Sequence, residues 1–367
     1  MKVLVSVFGN LATDQRVEKV CRTLHENAYE ISLIGNNWKR LPEMVRPYPF
    51  KRLELSSKFL KAGYPEFNFK LYQELLKQAD KSTILLANDL DSLLPNYLVS
   101  KKLGIPLVFD SHEIFTEMPS VQGRFTQKIW RFLERKLVPK LKYMMSASES
   151  YSKWFAETYH IQKPITVQNF PRKVFFEKKF TENKPKIIFY QGAVNPSRGL
   201  DKMIPVMKNI ENAVFWIAGD GPKKEEYIAL TKNLGLEEKV KFLGNIESEK
   251  LREITTKADV GLSIEENNGL SYYYSLPNKV SDYIQAGVPV LTTNYPETSK
   301  IINQYKVGAI INNHSEDELV SKVSEILNNG KEFYAENLRK AASELCWENE
   351  EQKIISLFDR VVQENFR

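Results

Sequence analysis

The chain has 367 residues, 42% hydrophobic and 27% charged, with mean hydropathy −0.40, which exceeds one ordinary α/β domain and suits two. Its two cysteines, Cys21 and Cys346, are far apart and fit no metal spacing, so a disulfide framework and a zinc site are excluded, and a reducing compartment is indicated. The net charge of +6 suits anionic ligands such as nucleotides or an anionic membrane surface, and no nucleic-acid-binding motif accompanies it.

Lys2–Phe8 reads as a strand, Asp14–Asn27 as a helix and Tyr29–Gly35 as a second strand. The opening apolar run is too short for a signal peptide, and no stretch approaches the roughly 18–20 apolar residues of a membrane span. The expected location is therefore cytoplasmic, either free or peripheral on the inner membrane face. Thr83–Ala87, a helix from about Asp91 to Leu103 and Pro106–Phe109 continue the alternation. Continuous apolar strands between helices imply a parallel sheet covered on both faces, the doubly wound pattern. A charged stretch, Arg172–Lys186, reads as a linker. The pattern then restarts with strand Lys186–Gln191, a helix near Gly199–Ile210, and strands at Ala213–Ala218, Val240–Leu243, Val260–Ile264 and Val288–Thr292. Trp347–Arg367 is a single amphipathic helix. The expected division is 1–172 and 173–346, with 347–367 packing back on the first domain and a ligand cleft between the domains.

Several loops carry residues suited to anion chemistry. Arg198-Gly199 stands where a strand gives way to a helix, whose free N–H groups and positive dipole end favour an anion, although a solvated charged turn fits equally. Gly219-x-Gly221-Pro222 occupies the next such junction and serves as well for a plain tight turn. In Leu276-Pro277-Asn278-Lys279, Lys279 falls in the first turn of a helix, where a cation opposes the dipole unless an anion is bound. His112 and Glu113 follow strand Pro106–Phe109, at the carboxyl end where α/β sheets place ligands. Gly9 and Asp14-Gln15-Arg16 follow the first strand without a G-x-G-x-x-G fingerprint, which argues against a nicotinamide dehydrogenase. Finally, 124–142 carries seven Lys and Arg residues against the single acid Glu134, with Phe125, Ile129, Trp130, Phe132, Leu133 and Leu137 as apolar side chains. Such a helix either lies on an anionic membrane or packs its apolar stripe on the first domain.

In order and spacing these motifs resemble the retaining glycosyltransferases of the GT-B fold, specifically glycosyltransferase family 4 (group 1). The resemblance runs from Asp14-Gln15-Arg16-Val17 through Asp110-Ser111-His112-Glu113 and Val167–Pro171 to Gly219–Pro222, Lys241–Gly244 and Leu276–Val290. It implies two Rossmann-like domains, a C-terminal crossover helix and a nucleoside-diphosphate sugar as co-substrate; no Asp-x-Asp motif stands in a suitable loop, so protein cations in place of a metal, and no other cofactor, are expected. It places the base near Gly244-Asn245, the ribose at Asp282, and the diphosphate at Arg198, Lys279 and the helix start at Asn278. Gly219 belongs to the same donor site, His112 lies near the transferring sugar, and the Gly9–Asp14 loop flanks the phosphates. The chain departs from the family at Ala193, where an Arg is common, and at Tyr274, where the first acid of the Glu-x7-Glu signature is expected. A lipid-linked or cell-surface glycan acceptor is the implied partner. A sugar-nucleotide epimerase of the same fold and a non-catalytic nucleotide-sugar-binding scaffold are the rival expectations.

Overall fold

The computed structural model describes residues 1–9, 11–37, 43–57, 59–173 and 184–366. The chain forms two units, Met1–Asn169 with Asn349–Arg367, and Phe170–Glu348. Most of the expected linker, 174–183, lies outside the described residues, as does Asn10.

The first unit is a parallel sheet of β1 (Lys2–Ser6), β2 (Glu30–Asn36), β3 (Phe50–Leu53), β4 (Thr83–Asn88), β5 (Leu107–Ser111), β6 (Tyr143–Ser146) and β7 (Ile165–Thr166). The order is β3-β2-β1-β4-β5-β6-β7, so the direction of winding reverses between β1 and β4. β4 and β5 are buried along their whole length, which is why they read as unbroken apolar runs rather than alternating ones. The helix Gln15–Glu26 starts at Asp14, whose carboxylate accepts the Val17 N–H at 3.0 Å. It buries Val17, Val20, Cys21 and Leu24, one face at helical spacing. β3 and the helix Leu60–Gln78 were not legible as elements. β3 is an edge strand whose Phe50 and Lys51 are exposed, so it has no apolar run, while among the described side chains of the helix Phe67, Leu71 and Leu75 are the large apolar ones packed fully inward.

The second unit repeats the plan with β8 (Lys186–Gln191), β9 (Ala213–Ala218), β10 (Val240–Gly244), β11 (Val260–Ser263), β12 (Val290–Thr293) and β13 (Gly308–Ile311). All pairs are parallel in the order β10-β9-β8-β11-β12-β13, with the reversal between β8 and β11. The fold is thus two Rossmann-like α/β domains. The last helix, Trp347–Asn365, begins in this unit, where Trp347 is fully buried and its N–H donates to the Pro171 carbonyl at 2.9 Å. From Asn349 it belongs to the first unit. There Phe358 packs edge-on to Tyr29 with ring centroids 5.7 Å apart, and Glu364 accepts the Tyr143 hydroxyl at 2.7 Å.

One ion pair pins the first unit together. Arg16 on the first helix forks onto Asp110 at the end of β5, Nε to Oδ2 at 2.9 Å and Nη2 to Oδ1 at 2.7 Å. Its Nη1 donates to the Val167 carbonyl at 2.5 Å. Both side chains are buried, so removing Arg16 leaves the enclosed Asp110 charge with only His112 opposite it. Arg16→Met should therefore cost the first unit about 3–5 kcal/mol, read by hydrogen exchange of its strand amides. Arg16→Met combined with Asp110→Asn should recover most of that loss; a double variant as unstable as the single one would show that the pair is not the pin.

Candidate functional site

In the first unit the chemistry gathers at the carboxyl ends of β4 and β5, beside the β1–β4 reversal. Asn88 and Asp110 face each other in register. The His112 ring follows them, with Nε2 3.2 Å from Asn88 Oδ1 and 3.4 Å from Asp110 Oδ2. On its other side Nδ1 is 3.3 Å from Asp89 Oδ2, and the His112 backbone N–H donates to Asp89 Oδ1 at 2.8 Å. Asp89 adopts φ 57°, ψ 165°, a strained conformation for a residue with a Cβ, and its carboxylate fixes His112 by two contacts.

The electrostatics follow from this enclosure. Burial alone would lower the His112 pKa, but the negative charges of Asp89 and Asp110 outweigh it and raise it to about 9. Burial would raise Asp110, yet Arg16 and His112 pull it down to about 2. The remaining acids lack such cations. Burial and the charge of Asp89 push Glu113 up to about 7 and drive Asp91 well above the carboxylate range. Asp91 Oδ1 has no hydrogen-bond partner among the described residues. His112 is therefore an imidazolium that donates hydrogen bonds, and Glu113 is the group that exchanges a proton near neutral pH. Burial raises the Asp89 carboxyl against the pull of His112, and Asp14, which caps its helix, lies close enough to raise it further. A Cβ on Gly9 would sit 3.9 Å from the Asp14 carboxylate, so both residues border the cluster.

In the second unit Arg198 and Lys279 come together at the β8–β11 reversal, around a residue that spacing did not reveal. Glu265 follows β11 and accepts Lys279 Nζ at 2.5 Å, while Arg198 Nη1 stands 3.5 Å from the same oxygen. Lys279, in the first turn of the helix Asn278–Gln285, had implied a bound anion. Glu265 places an internal carboxylate against that cation, with the two side chains only 9% and 5% exposed. Burial would raise Glu265, but Lys279 and Arg198 outweigh it and hold the carboxyl below its usual range. Aromatic faces complete the seats: the Lys279 ammonium lies 4.4 Å over the Tyr190 ring and the Arg198 guanidinium 4.9 Å over Tyr272. Two glycines permit the close approach of these loops. Gly199, at φ 72°, has no room for a Cβ against the Ile264 carbonyl, and Gly219, at φ 139°, none against that of Gly192.

The other expected donor residues lie on neighbouring strand ends of the same sheet and on the helix Asn278–Gln285. Gln191, at the end of β8, donates to Asp282 Oδ2 at 2.9 Å and accepts Thr255 Oγ1 at 2.8 Å. Gly244 closes β10 at φ 68°, and its carbonyl accepts the Gly219 N–H at 2.8 Å. Asn245 is exposed, and Asn278 is the first helical residue after Pro277. Tyr274 ends the short helix Leu270–Tyr273. Asp89 and Glu265 were the omissions. Both stand just beyond buried strands, so the carboxyl-end rule that selected His112 would have found them.

The basic helix Phe125–Leu137 has two apolar faces. Trp130 packs at 5.0 Å from Phe115 and 5.2 Å from Tyr64, and Leu137 is buried. Phe125, Ile129 and Phe132 point outward, exposed by 75%, 49% and 60%. Glu134, the only acid, is turned inward, accepting from Thr116 at 3.0 Å and Tyr159 at 2.6 Å. No helix among the described residues is long and apolar enough to cross a membrane.

Residues 14–169 match the family model described as Glycosyltransferase Family 4, and residues 171–345 match Glycosyl transferases group 1. Among curated proteins, the GalNAc-alpha-(1->4)-GalNAc-alpha-(1->3)-diNAcBac-PP-undecaprenol alpha-1,4-N-acetyl-D-galactosaminyltransferase of Campylobacter jejuni is 24% identical over 327 residues, 85% of this chain and 83% of that protein. Among solved structures, a sucrose-phosphate synthase from Thermosynechococcus elongatus superimposes with a TM-score of 0.80 at 14% identity, over 99% of this chain and 100% of that one. Anabaena HepE in complex with UDP gives 0.74 at 12% identity, over 98% and 100%. With matching models over both of its units, the chain belongs to the group 1 glycosyltransferases of family 4 and is a glycosyltransferase.

Proposed function

We propose that the chain moves a sugar from a nucleoside-diphosphate sugar to a lipid-linked or cell-surface glycan acceptor, with retention of anomeric configuration, at an anionic membrane face. The observation that carries this reading is the pair of cations at the strand reversal of the second unit, a buried Lys279 and a part-exposed Arg198. Breaking the anomeric C–O bond leaves the diphosphate with extra negative charge, and cations fixed beforehand in a low-dielectric site stabilise it without reorganising. Asp282 and the backbone near Gly244 supply ribose and base contacts on this reading. The lipid diphosphate in the name of the Campylobacter relative supports a lipid-linked acceptor.

The protonation of His112 bears on which group could act as base. An imidazolium cannot take a proton from the acceptor hydroxyl, whereas in a retaining transfer the leaving diphosphate oxygen takes it. An inverting transfer needs a side-chain base, for which Glu113 is the group with a suitable pKa. The outward apolar face of the Phe125–Leu137 helix, flanked by exposed Arg124, Lys128, Arg135 and Lys136, supports docking on anionic lipid.

With a panel of nucleotide sugars and polyprenyl-diphosphate glycans, Arg198→Ala and Lys279→Ala should each lower turnover by about 10²–10³-fold. Proton NMR of the product should show the donor's anomeric configuration; an inverted product overturns retention. Interconversion of the nucleotide sugar without any acceptor would favour an epimerase instead.

His112 has a raised pKa in the folded state, so the stability it contributes is complete below its unfolded value of 6.5 and is lost as pH rises through about 9. The stability difference between wild type and His112→Gln should therefore shrink from pH 6.5 to 9. A difference that grows with pH would mean that the ring is neutral.

Vesicles containing phosphatidylglycerol should bind the protein, and purely phosphatidylcholine vesicles should bind it weakly. Phe125→Ser with Phe132→Ser should weaken binding by about ten-fold or more, and salt should weaken the wild type. Equal binding to both vesicle types removes the anionic surface from the reading.

A further inference from the structure

We propose that Glu265 acts as an internal rival of the donor diphosphate, sharing Arg198 and Lys279 with it and thereby setting how fast the spent nucleotide leaves. This rests on the reading of those two cations as the diphosphate site. Glu265 takes no part in the transfer as derived above, yet it is the most completely enclosed charge of the trio.

Its carboxylate is held from behind as well as from in front. Ser263 Oγ donates to Oε2 at 2.9 Å, leaving Oε1 for both cations. The Glu265 carbonyl accepts Thr293 Oγ1 at 2.9 Å. The preceding carbonyl, of Ile264, lies 2.9 Å from His314 Nε2 and is covered by Gly199. The backbone on either side of the carboxylate is thus tied to three other elements. Swinging out to make way for a ligand would break these contacts, so Glu265 stays and shares its cations.

The consequence is electrostatic. Two cations on one oxygen would repel strongly in a buried site, and Glu265 reduces the trio to a net charge of +1. A diphosphate arriving at the exposed side of Arg198 therefore meets cations already partly neutralised. Its affinity is moderated, and the nucleoside diphosphate left after transfer escapes sooner. Glu265 is a positioning residue in the empty protein and a competitor in the filled one.

The sign of one substitution separates this role from a merely structural one. Glu265→Gln should melt at a lower temperature without ligand but bind inorganic pyrophosphate about ten-fold or more tightly than wild type, with a steeper salt dependence. Turnover should fall together with KM as product release slows. A residue that only held the cations in place would give weaker binding on removal. Glu265→Asp keeps the charge, withdraws it by one methylene and spares the fold; its pyrophosphate affinity should rise by a smaller factor. Calorimetry with pyrophosphate, UDP and GDP reads both variants. Unchanged or weaker binding in both overturns the rivalry and leaves the diphosphate site standing. Failure of the wild type to bind any of the three overturns the site, and the rivalry with it.

Discussion

A charge buried at the carboxyl edge of a parallel sheet has no water to solvate it, and an opposite charge must stand within a few ångströms. Both units are arranged around that requirement. In the first, Arg16 reaches from the first helix to satisfy Asp110 at the end of β5, and the same carboxylate then faces His112. In the second, Glu265 beyond β11 satisfies Lys279 from the helix Asn278–Gln285 and lies against Arg198 from the loop after β8. Each cluster sits where the winding of its sheet reverses, the point at which adjacent loops diverge and leave the strand ends open. The ion pairs therefore join elements that the sheet itself leaves apart.

The two clusters differ in sign, and the difference divides the chemistry. Arg16 and His112 face four acids, Asp89, Asp91, Asp110 and Glu113, and burial raises the pKa of each of them except Asp110. The second-unit trio has one cation to spare. A site with an excess of buried positive charge suits a diphosphate. A site with an imidazolium fixed between carboxylates and a carboxyl that titrates near 7 suits hydroxyl groups and their protons.

Much of this was legible from pattern alone. Strands buried on both faces announce themselves as apolar runs, and the motif residues His112, Arg198, Gly219 and Lys279 fall at their carboxyl ends, as expected of α/β sheets. What pattern cannot supply is which charge answers which. Lys279 in a first helical turn does demand an anion, but Glu265, fourteen residues earlier, is brought to it only by the way the β11–β12 connection folds back over the strand end. Asp89 carries no sequence signal because it is the strained cap of a helix that starts at Leu90, one residue before the start its pattern suggests. The apolar residues of 124–142 likewise look like one stripe in the sequence. On the helix they separate into an inward Trp130 and Leu137 and an outward Phe125, Ile129 and Phe132. β3 lacked a signal because an edge strand need not be apolar.

The anchoring of that basic helix bears on how a bound acceptor would be registered. Thr116 and Glu117 lie three and four residues beyond Glu113, and both are tied to the helix. Thr116 donates to Glu134, its carbonyl accepts Gln127 Nε2 at 2.7 Å, and Glu117 pairs with Arg131 at 2.7 Å. Turning Glu134 inward does two things at once: it secures the helix to the segment that carries His112 and Glu113, and it removes the only negative charge from the helix's outer side. The same packing that makes the face basic thus makes it continuous with the segment that carries His112 and Glu113. A lipid surface held by Phe125, Ile129 and Phe132 would be held by an element fixed, through three side-chain contacts, to the residues around the imidazolium. The acceptor's distance from the chemistry would then follow from packing rather than from a flexible tether.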